Sequence, residues 1–325
     1  MWPRSNVRIQ PAMNPLKTAA LICCALAFLQ LTLCNKAQAQ AHCPRQTTRT
    51  LMVGNSTVCM VLENAGTGKQ KALQQAWIER SAHIVAGYYG QFPAPQVVVQ
   101  LHSGDGAGIN GGRTTNDDGL MIQATVGRDT TAEEFNADWV MVHEMVHLAL
   151  PEIGRSHNWL AEGLAVYVEG VARAQAGNRA VSDVWAEDRR EMPRGLPRSG
   201  EGGMDQTHTW ARTYWGGALF CLQADMAIRE QTHNRIGLQT ALRAILKDTG
   251  GYGFDRDIVE VLRAGDAATG THVLYDLYDR SRESAQVPDL DAIWTLLGVP
   301  ENPAAEAFDD RAPLAAVRSA ITAAP

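Results

Sequence analysis

Apolar residues along the chain follow two different periods, and the change between them outlines the elements. Between residues 69 and 89 apolar residues recur every three or four positions, which predicts an amphipathic helix. Short runs of apolar and β-branched residues bounded by turn residues predict strands instead. These runs cover residues 50–53, 58–62, 97–101 and 120–124. The first half of the chain therefore combines strands with helices.

Helical patterns dominate from residue 130 onward. Thr130 or Thr131 can cap a helix that contains an apolar run from residue 139 to 150 and ends at Pro151. Residues 156–158 form a plausible cap for a following helix, 159–176. Residues 186–206 are charged, rich in Pro and Gly and without a period, which predicts a long loop over a cleft. Further helices are expected at residues 209–229, 237–247, 256–263, 273–282 and 290–297.

These elements predict an α+β fold with two lobes. Residues 42–177 would form a first lobe in which helices pack on a mixed, partly antiparallel sheet. Residues 178–325 would form a mostly helical second lobe, with a cleft between the two. A Gly-rich loop, residues 104–112, contains neither of the Gly-rich patterns that bind nucleotide phosphates, so it is interpreted as the connection into an edge strand.

The N-terminal 41 residues have the pattern of a secretory signal peptide. Basic residues precede an apolar run from Ala19 to Leu33, and Ala37-Gln38-Ala39 fits a cleavage site. The alternative is an uncleaved N-terminal anchor, although the run is short for a bilayer span. We therefore expect export, to the periplasm or out of the cell, with no stable membrane span after cleavage. Cleavage would remove four of the 29 basic residues and none of the 35 acidic ones, leaving a net charge of −10. That acidic balance argues against nucleic acid as a partner.

Cysteine usage agrees with export. Cys43 and Cys59 flank a strand-like segment and could form a disulfide in an oxidising compartment. Cys221 lies in an apolar helical run, which is typical of a buried thiol.

The chemistry is concentrated in the segment His143-Glu144-Met145-Val146-His147. On a helix, two histidines four residues apart share one face and can hold one zinc ion, and Glu144 can activate a water molecule. A hydrolytic zinc site needs a third protein ligand. Glu162, one turn into the next helix, can point back at the two imidazoles. The resulting hypothesis is a Zn²⁺ site formed by His143, His147 and Glu162, with Glu144 as general base.

The sequence around these ligands resembles the gluzincin peptidases, above all the peptidase MA-like group. The residues that carry the resemblance are the H-E-x-x-H segment and the pattern W-L-x-E-G-x-A-x-Y at residues 159–167. The separation of the second histidine and Glu162 is shorter than is usual in thermolysin-like and M1 enzymes. Leu150 and Ile153 occupy the positions where metzincins carry Gly and a third His, which excludes that class.

A downstream segment resembles the M61 glycyl aminopeptidase-like family. It runs from Tyr214-Trp215-Gly216-Gly217 to Asp225 and Arg229. The resemblance implies that Tyr214 donates a hydrogen bond to the oxyanion formed during peptide hydrolysis. M1 and M61 aminopeptidases also carry an acidic residue in a Gly-rich edge strand that binds the substrate amine, whereas residues 111–115 contain no acid. Endopeptidase and aminopeptidase specificity therefore both stay open.

Several polar residues near the motif have two interpretations. His157 is a rival metal ligand or a helix-start residue, and His208 is a second oxyanion donor or a surface residue. Glu169 is a hydrogen-bond partner for a ligand histidine or a solvated helix residue. Tyr214 itself could be an aromatic residue in the packing. Asp225 and Arg229 have the spacing of a helix ion pair.

The sequence thus predicts an exported zinc metallopeptidase that acts on a peptide or protein substrate. The strand near residues 120–123 could pair with that substrate. The alternative is a non-catalytic peptide-binding or metal-holding protein with a peptidase-like fold. The oligomeric state stays open.

Overall fold

The computed structural model describes residues 43–324, so the proposed signal peptide lies outside the described residues. Five strands and a succession of helices follow one another along the chain, and residues from Cys43 onward form one compact unit. The strands are β1 (Arg49–Val53), β2 (Ser56–Glu63), β3 (Gln96–Gly104), β4 (Ile109–Thr115) and β5 (Met121–Gly127). The helices of the first part are α1 (Gly68–Tyr89), α2 (Ala132–Ala137), α3 (Val140–His147) and α4 (Asn158–Gln175). The α+β prediction is confirmed, while the division into lobes at residue 177 stays a prediction.

The later helices continue to the end of the described chain. They are α5 (Val181–Glu191), α6 (Gly217–Gln231), α7 (Leu238–Thr249), α8 (Ile258–Thr269), α9 (Val273–Ser281), α10 (Leu290–Leu297) and α11 (Ala315–Thr322). Within residues 43–324, none of the helices combines the length and the apolar character that a bilayer crossing requires.

The sheet is mixed, and its strand order is β1-β2-β3-β5-β4. β2, β3 and β5 run parallel, whereas β1 and β4 pair antiparallel with their neighbours at the two edges. In β3 the side chains of Val97, Val99 and Leu101 are buried on one face. On the other face Gln123 donates to Gln100 at 3.0 Å. This alternation follows from the two-residue period of a strand.

The sheet edge differs from the sequence expectation in one respect that matters for the site. The strand near residues 120–123 lies inside the sheet, because β4 pairs with its outer side. The prediction that this strand receives an extended peptide is therefore wrong. The edge strand beside β5 is β4, residues Ile109–Thr115, which includes part of the Gly-rich segment.

A single predicted helix between Thr131 and Pro151 proves to be two helices. Thr131 caps α2 through a capping box with Glu134, as expected. The chain then becomes extended at Asp138, whose carboxylate accepts a hydrogen bond from the Met141 amide at 3.3 Å. The same carboxylate accepts from the Trp77 indole at 3.0 Å. Asp138 therefore caps the start of α3 with its side chain. The apolar run that follows did not indicate this helix boundary.

The predicted loop at residues 186–206 is also partly wrong. Its first residues belong to α5, and a short 3-10 turn follows at Met192–Gly195. Val184, Trp185, Asp188 and Met192 are buried, which is the spacing of one helix face. The many charges on the other face concealed this period.

α4 is the central helix of the core, since its side chains are buried on nearly all sides. It crosses α6 at a very close approach, where Gly163 meets Gly217. A β-carbon at Gly163 would lie 2.2 Å from the Gly217 carbonyl carbon, so the crossing requires glycine. This contact fixes the helix that carries Glu162 against the rest of the helical part.

The predicted disulfide between Cys43 and Cys59 is present, and it ties the first described residue to β2. Cys221 is a buried free thiol, as expected.

Candidate metal and catalytic site

Three side chains from two helices meet at one point of the core. α3 carries His143 and His147, and the short connection that follows turns α4 back so that Glu162 faces them. The Glu162 carboxylate lies 3.2 Å from His143 Nε2 and 3.5 Å from His147 Nε2. One donor atom from each residue lies within 4.8 Å of the other two. The three residues predicted as ligands therefore form a group of the size that a single metal ion requires.

The donor types of this group fit a metal ion, and burial and mutual contact shift the pKa of each residue. Burial lowers the pKa of His143 and outweighs the opposing effect of Glu162. Burial also acts on Glu162, but hydrogen bonds from the two imidazoles outweigh it and hold the pKa of Glu162 well below its usual range. For His147, burial is outweighed by the hydrogen bond to Glu162 and its charge, which raise the pKa. Two imidazoles and one ionised carboxylate are the donor set that a hydrolytic zinc ion takes.

Glu144 lies between the ligand histidines in sequence and points toward the edge strand. Thr114 of β4 donates a hydrogen bond to a Glu144 carboxylate oxygen at 2.7 Å, and it also contacts the Glu144 carbonyl oxygen at 2.9 Å. Gly112, two residues earlier in β4, leaves room for the carboxylate. A β-carbon there would lie 2.6 Å from Glu144 Cγ. The edge strand therefore both orients Glu144 and leaves space beside it.

Tyr214 belongs to a π-helical turn, Arg212–Gly216, that leads into α6. Its ring stacks parallel to the His143 ring with 6.2 Å between centroids. Burial, followed by the neighbouring Glu162 carboxylate, raises the pKa of Tyr214 to about 12. The phenol is therefore a protonated hydrogen-bond donor beside the three-residue group. Single π turns of this kind are frequent at functional sites, and the sequence pattern predicted only an ordinary helix here.

A cavity of about 660 Å³ opens beside the three-residue group. His143, Glu144 and Tyr214 form part of its wall, together with Gly112 of the edge strand. We call it the site cavity. Its volume lies within the range of small-ligand pockets, roughly 300 to 1,000 Å³.

The structure resolves the roles of two of the alternative residues. His157 contacts the Ile153 carbonyl oxygen through Nδ1 at 2.6 Å and lies 3.5 Å from Asp205 through Nε2. It connects two loops and is not part of the candidate metal group. His208 is exposed and does not line the site cavity.

Glu169 matches neither of its two interpretations. It is buried and bonded to Arg173 at 2.7 Å, so it is not a solvated residue. Nor is it the partner of His143, whose Nδ1 has no hydrogen-bond partner among residues 43–324. Asp225 and Arg229 do form the expected helix ion pair, at 2.8 Å, in a buried position.

Three further residues at the site, Thr114, Trp139 and Trp210, were not predicted as site residues from the sequence. Thr114 reaches Glu144 across 30 residues of chain. The two tryptophans line the site cavity and are about half exposed, at 50% and 54%. A large exposed aromatic side chain next to a polar motif is the one sequence feature that could have indicated them.

Comparisons with known proteins support the fold. Neither a family model nor a curated protein sequence matches the chain. Among solved structures, the chain is similar to a mutant of the M1 zinc metallopeptidase from Deinococcus radiodurans, with a TM-score of 0.50 and 15% identity. It is also similar to an aminopeptidase N family protein from Idiomarina loihiensis, with a TM-score of 0.53 and 11% identity.

Each of these matches covers 76% of this chain but only about half of the neighbour, 53% and 48% respectively. At such identities the likeness shows a shared fold. The chain therefore shares its fold with the matching part of these two structures.

Proposed function

We propose that this protein is a zinc-dependent peptidase in which Glu144 is the general base. One observation carries the proposal: two imidazoles and a carboxylate converge within 4.8 Å of one another, and Glu144 adjoins them at the wall of a cavity. The fold shared with M1 zinc metallopeptidases supports the same reaction class. His143, His147 and Glu162 would hold the zinc ion.

In such a site, a bound zinc ion supplies Lewis acidity, polarising a carbonyl oxygen and making a water molecule more acidic. Glu144 takes a proton from the attacking water and delivers it to the leaving amine. The hydrogen bond from Thr114 holds the carboxylate in one orientation during both transfers. Tyr214 donates a hydrogen bond to the oxyanion that develops on the scissile carbonyl; losing one such donor typically costs about 10²–10³ in rate.

An extended peptide would bind along β4. This strand is the free edge of the sheet on the side of the site, and its Gly112 lies directly beside Glu144. Strand addition at this edge would place a backbone carbonyl next to the catalytic side chains. The absence of an acidic residue from β4 favours binding of a peptide interior at least as much as binding of its terminal amine.

Two further parts of the proposal rest mainly on the sequence. The pattern of the first 41 residues supports export, and the disulfide between Cys43 and Cys59 is consistent with an oxidising compartment. The segment from Tyr214 to Arg229 supports a relation to the M61 glycyl aminopeptidase-like family.

The proposal is tested by incubating the purified protein with a mixed peptide library and identifying the products by mass spectrometry. We expect cleavage by the protein with one zinc ion per chain, loss of cleavage after chelation, and recovery when zinc is returned. The His147→Ala variant should bind zinc much more weakly and lose activity. A metal-free protein that cleaves as fast as the zinc-loaded one would refute the proposal. Absence of cleavage by the zinc-loaded protein would favour a metal-holding or peptide-binding role.

A further inference from the structure

A second cavity, of about 220 Å³, adjoins the three-residue group at His147. The site cavity adjoins the same group at His143, and the two cavities share no lining residue. The wall of the second cavity comes from the connection between α3 and α4, from the first residues of α4 and from Tyr252, which lies between α7 and α8. The proposed zinc ligands are therefore flanked by two separate cavities.

The loop that carries Tyr252 is fixed against the elements of the site. The Tyr252 amide donates to the carbonyl oxygen of Leu148, the residue that follows α3, at 3.0 Å. The glycines on either side of Tyr252, Gly251 and Gly253, have φ values of 82° and 98°. A β-carbon at Gly251 would lie 2.4 Å from the Leu148 carbonyl oxygen. Both the backbone conformation and the close approach therefore require glycine here.

The next residues of this loop are bonded to the connection between the two ligand-bearing helices. The Glu152 amide donates to the Phe254 carbonyl oxygen at 3.0 Å, and the Arg256 amide donates to the Glu152 carbonyl oxygen at 2.9 Å. These backbone bonds hold the loop on both sides of Tyr252. The tyrosine is thus presented from a preorganised backbone, as a binding residue requires.

The Tyr252 side chain is partly buried and lines the second cavity with His147. Burial, followed by the charge of Glu152, raises the pKa of Tyr252 against the opposing charge of Arg113, and the charge of Glu144 acts in the same direction as burial. No hydrogen bond to another of residues 43–324 contributes to this shift. The phenol is therefore a protonated donor whose hydrogen is free for a ligand.

The edge strand β4 connects the two cavities. Gly111 and Gly112 of this strand line the site cavity. Asn116, which follows the last residue of the strand, lies against the loop of Tyr252, since a β-carbon at Gly253 would be 2.6 Å from its side-chain nitrogen. The four residues from Gly112 to Asn116 span about 13 Å of extended chain. A peptide paired with β4 would pass both cavities.

We propose that the second cavity binds the substrate residues on one side of the cut bond while the site cavity binds those on the other side. Tyr252 would donate a hydrogen bond to a backbone carbonyl oxygen of the residues in the second cavity. A peptide held in both cavities is cut in its interior, so the substrate class is that of an endopeptidase. This inference rests on the proposed peptidase function and names its substrate class.

Peptides that are blocked at both ends test the substrate class. A library of hexapeptides with acetylated N-termini and amidated C-termini is incubated with the zinc-loaded protein, and the products are identified by mass spectrometry. We expect cleavage at internal bonds, because neither terminus is needed for binding. Cleavage of unblocked peptides alone, at a terminal bond, would overturn the inference and leave the peptidase function intact. If neither blocked nor unblocked peptides are cleaved, both fail.

The Tyr252→Phe variant tests the hydrogen bond. On the best blocked hexapeptide we expect kcat/KM to fall about threefold to tenfold, the usual range for one neutral hydrogen bond. Shortening the peptide from one end should abolish this difference from the wild type, whereas shortening it from the other end should preserve it. Tyr275→Phe is the matched control, because Tyr275 lies on α9 and lines neither cavity. No loss for Tyr252→Phe, or the same loss with every peptide, would remove Tyr252 from substrate binding.

Filling the second cavity tests its assignment independently. Asn158 is exposed at the wall of this cavity, as the first residue of α4. Asn158→Trp should slow cleavage of the blocked hexapeptide while its zinc content stays that of the wild type. Ser156→Trp is the control, since Ser156 is exposed in the same connection but outside the lining. If Asn158→Trp cleaved at the wild-type rate, or Ser156→Trp were equally slow, the second cavity would not be a substrate site.

Discussion

Thr114 is the residue that orients Glu144, and its hydroxyl contacts both the side chain and the backbone of that residue. Thr114→Val keeps the shape but removes the donor. We expect kcat to fall about tenfold with little change in KM, because a neutral-to-charged hydrogen bond of roughly 1.5–3 kcal/mol is lost near the reacting atoms. Thr114→Ser should retain most of the activity. Steady-state kinetics on one cleaved peptide provides the measurement, and equal rates for all three proteins would remove Thr114 from the mechanism.

Asp188 is a buried carboxyl on α5. Burial, with the charge of Glu187, raises its pKa to about 8 against the opposing charge of Arg179. Between about pH 4, where an unfolded aspartate loses its proton, and pH 8, the folded protein holds an extra proton. The free energy of unfolding should therefore fall as pH rises through this window, by at most about 1.4 kcal/mol per pH unit from this group.

The Asp188→Asn variant isolates this contribution, because asparagine has a similar shape and does not titrate. Urea unfolding at pH 6 and pH 8.5 should show a larger loss of stability for the wild type than for Asp188→Asn. The exposed Asp183→Asn variant should behave like the wild type. Parallel pH dependences for wild type and Asp188→Asn would mean that Asp188 is ionised in the folded protein at both pH values.

At the scale of elements, the crossing of α4 and α6 holds Glu162 in place. Gly163 follows Glu162 directly, and a β-carbon there would collide with the α6 backbone. We expect Gly163→Ala to destabilise the fold by about 1–3 kcal/mol, the usual range for overpacking, and to weaken zinc binding. Gly87→Ala in α1 is the matched control, because its β-carbon would meet no atom within 4 Å. Urea unfolding compares the two, and equal stabilities would show that the crossing relaxes without cost.

Local spacing made part of this architecture predictable. The histidine pair of α3 depends only on the helical period, and Glu162 follows from a short connection between neighbouring helices. The helix boundary at Asp138 was not predicted, because the capping carboxylate directly precedes an apolar run. Helix α5 was not predicted either, because the many charged residues on its exposed face hide its helical period. The contact between Thr114 and Glu144 depends on the order of strands in the sheet. The glycines of β4 leave that strand without the alternation of apolar and polar residues that predicts a strand, so this contact could not be predicted.

On the scale of the whole molecule, the site forms where four elements meet. The edge strand β4 supplies Thr114, α3 supplies the histidines and Glu144, α4 supplies Glu162, and the π turn before α6 supplies Tyr214. The last three pack into one continuous core, which supports a rigid, preorganised arrangement. The neighbours of known structure share this fold over about half of their own length.

The most direct test of the central claim compares Glu144→Gln with the wild type for zinc content and peptide cleavage. Glu144 is not among the three proposed ligands, so the variant should keep about one zinc ion per chain. Without a general base, its cleavage rate should fall by about 10²–10⁴. A Glu144→Gln protein that binds zinc and cleaves peptides at the wild-type rate would contradict the account.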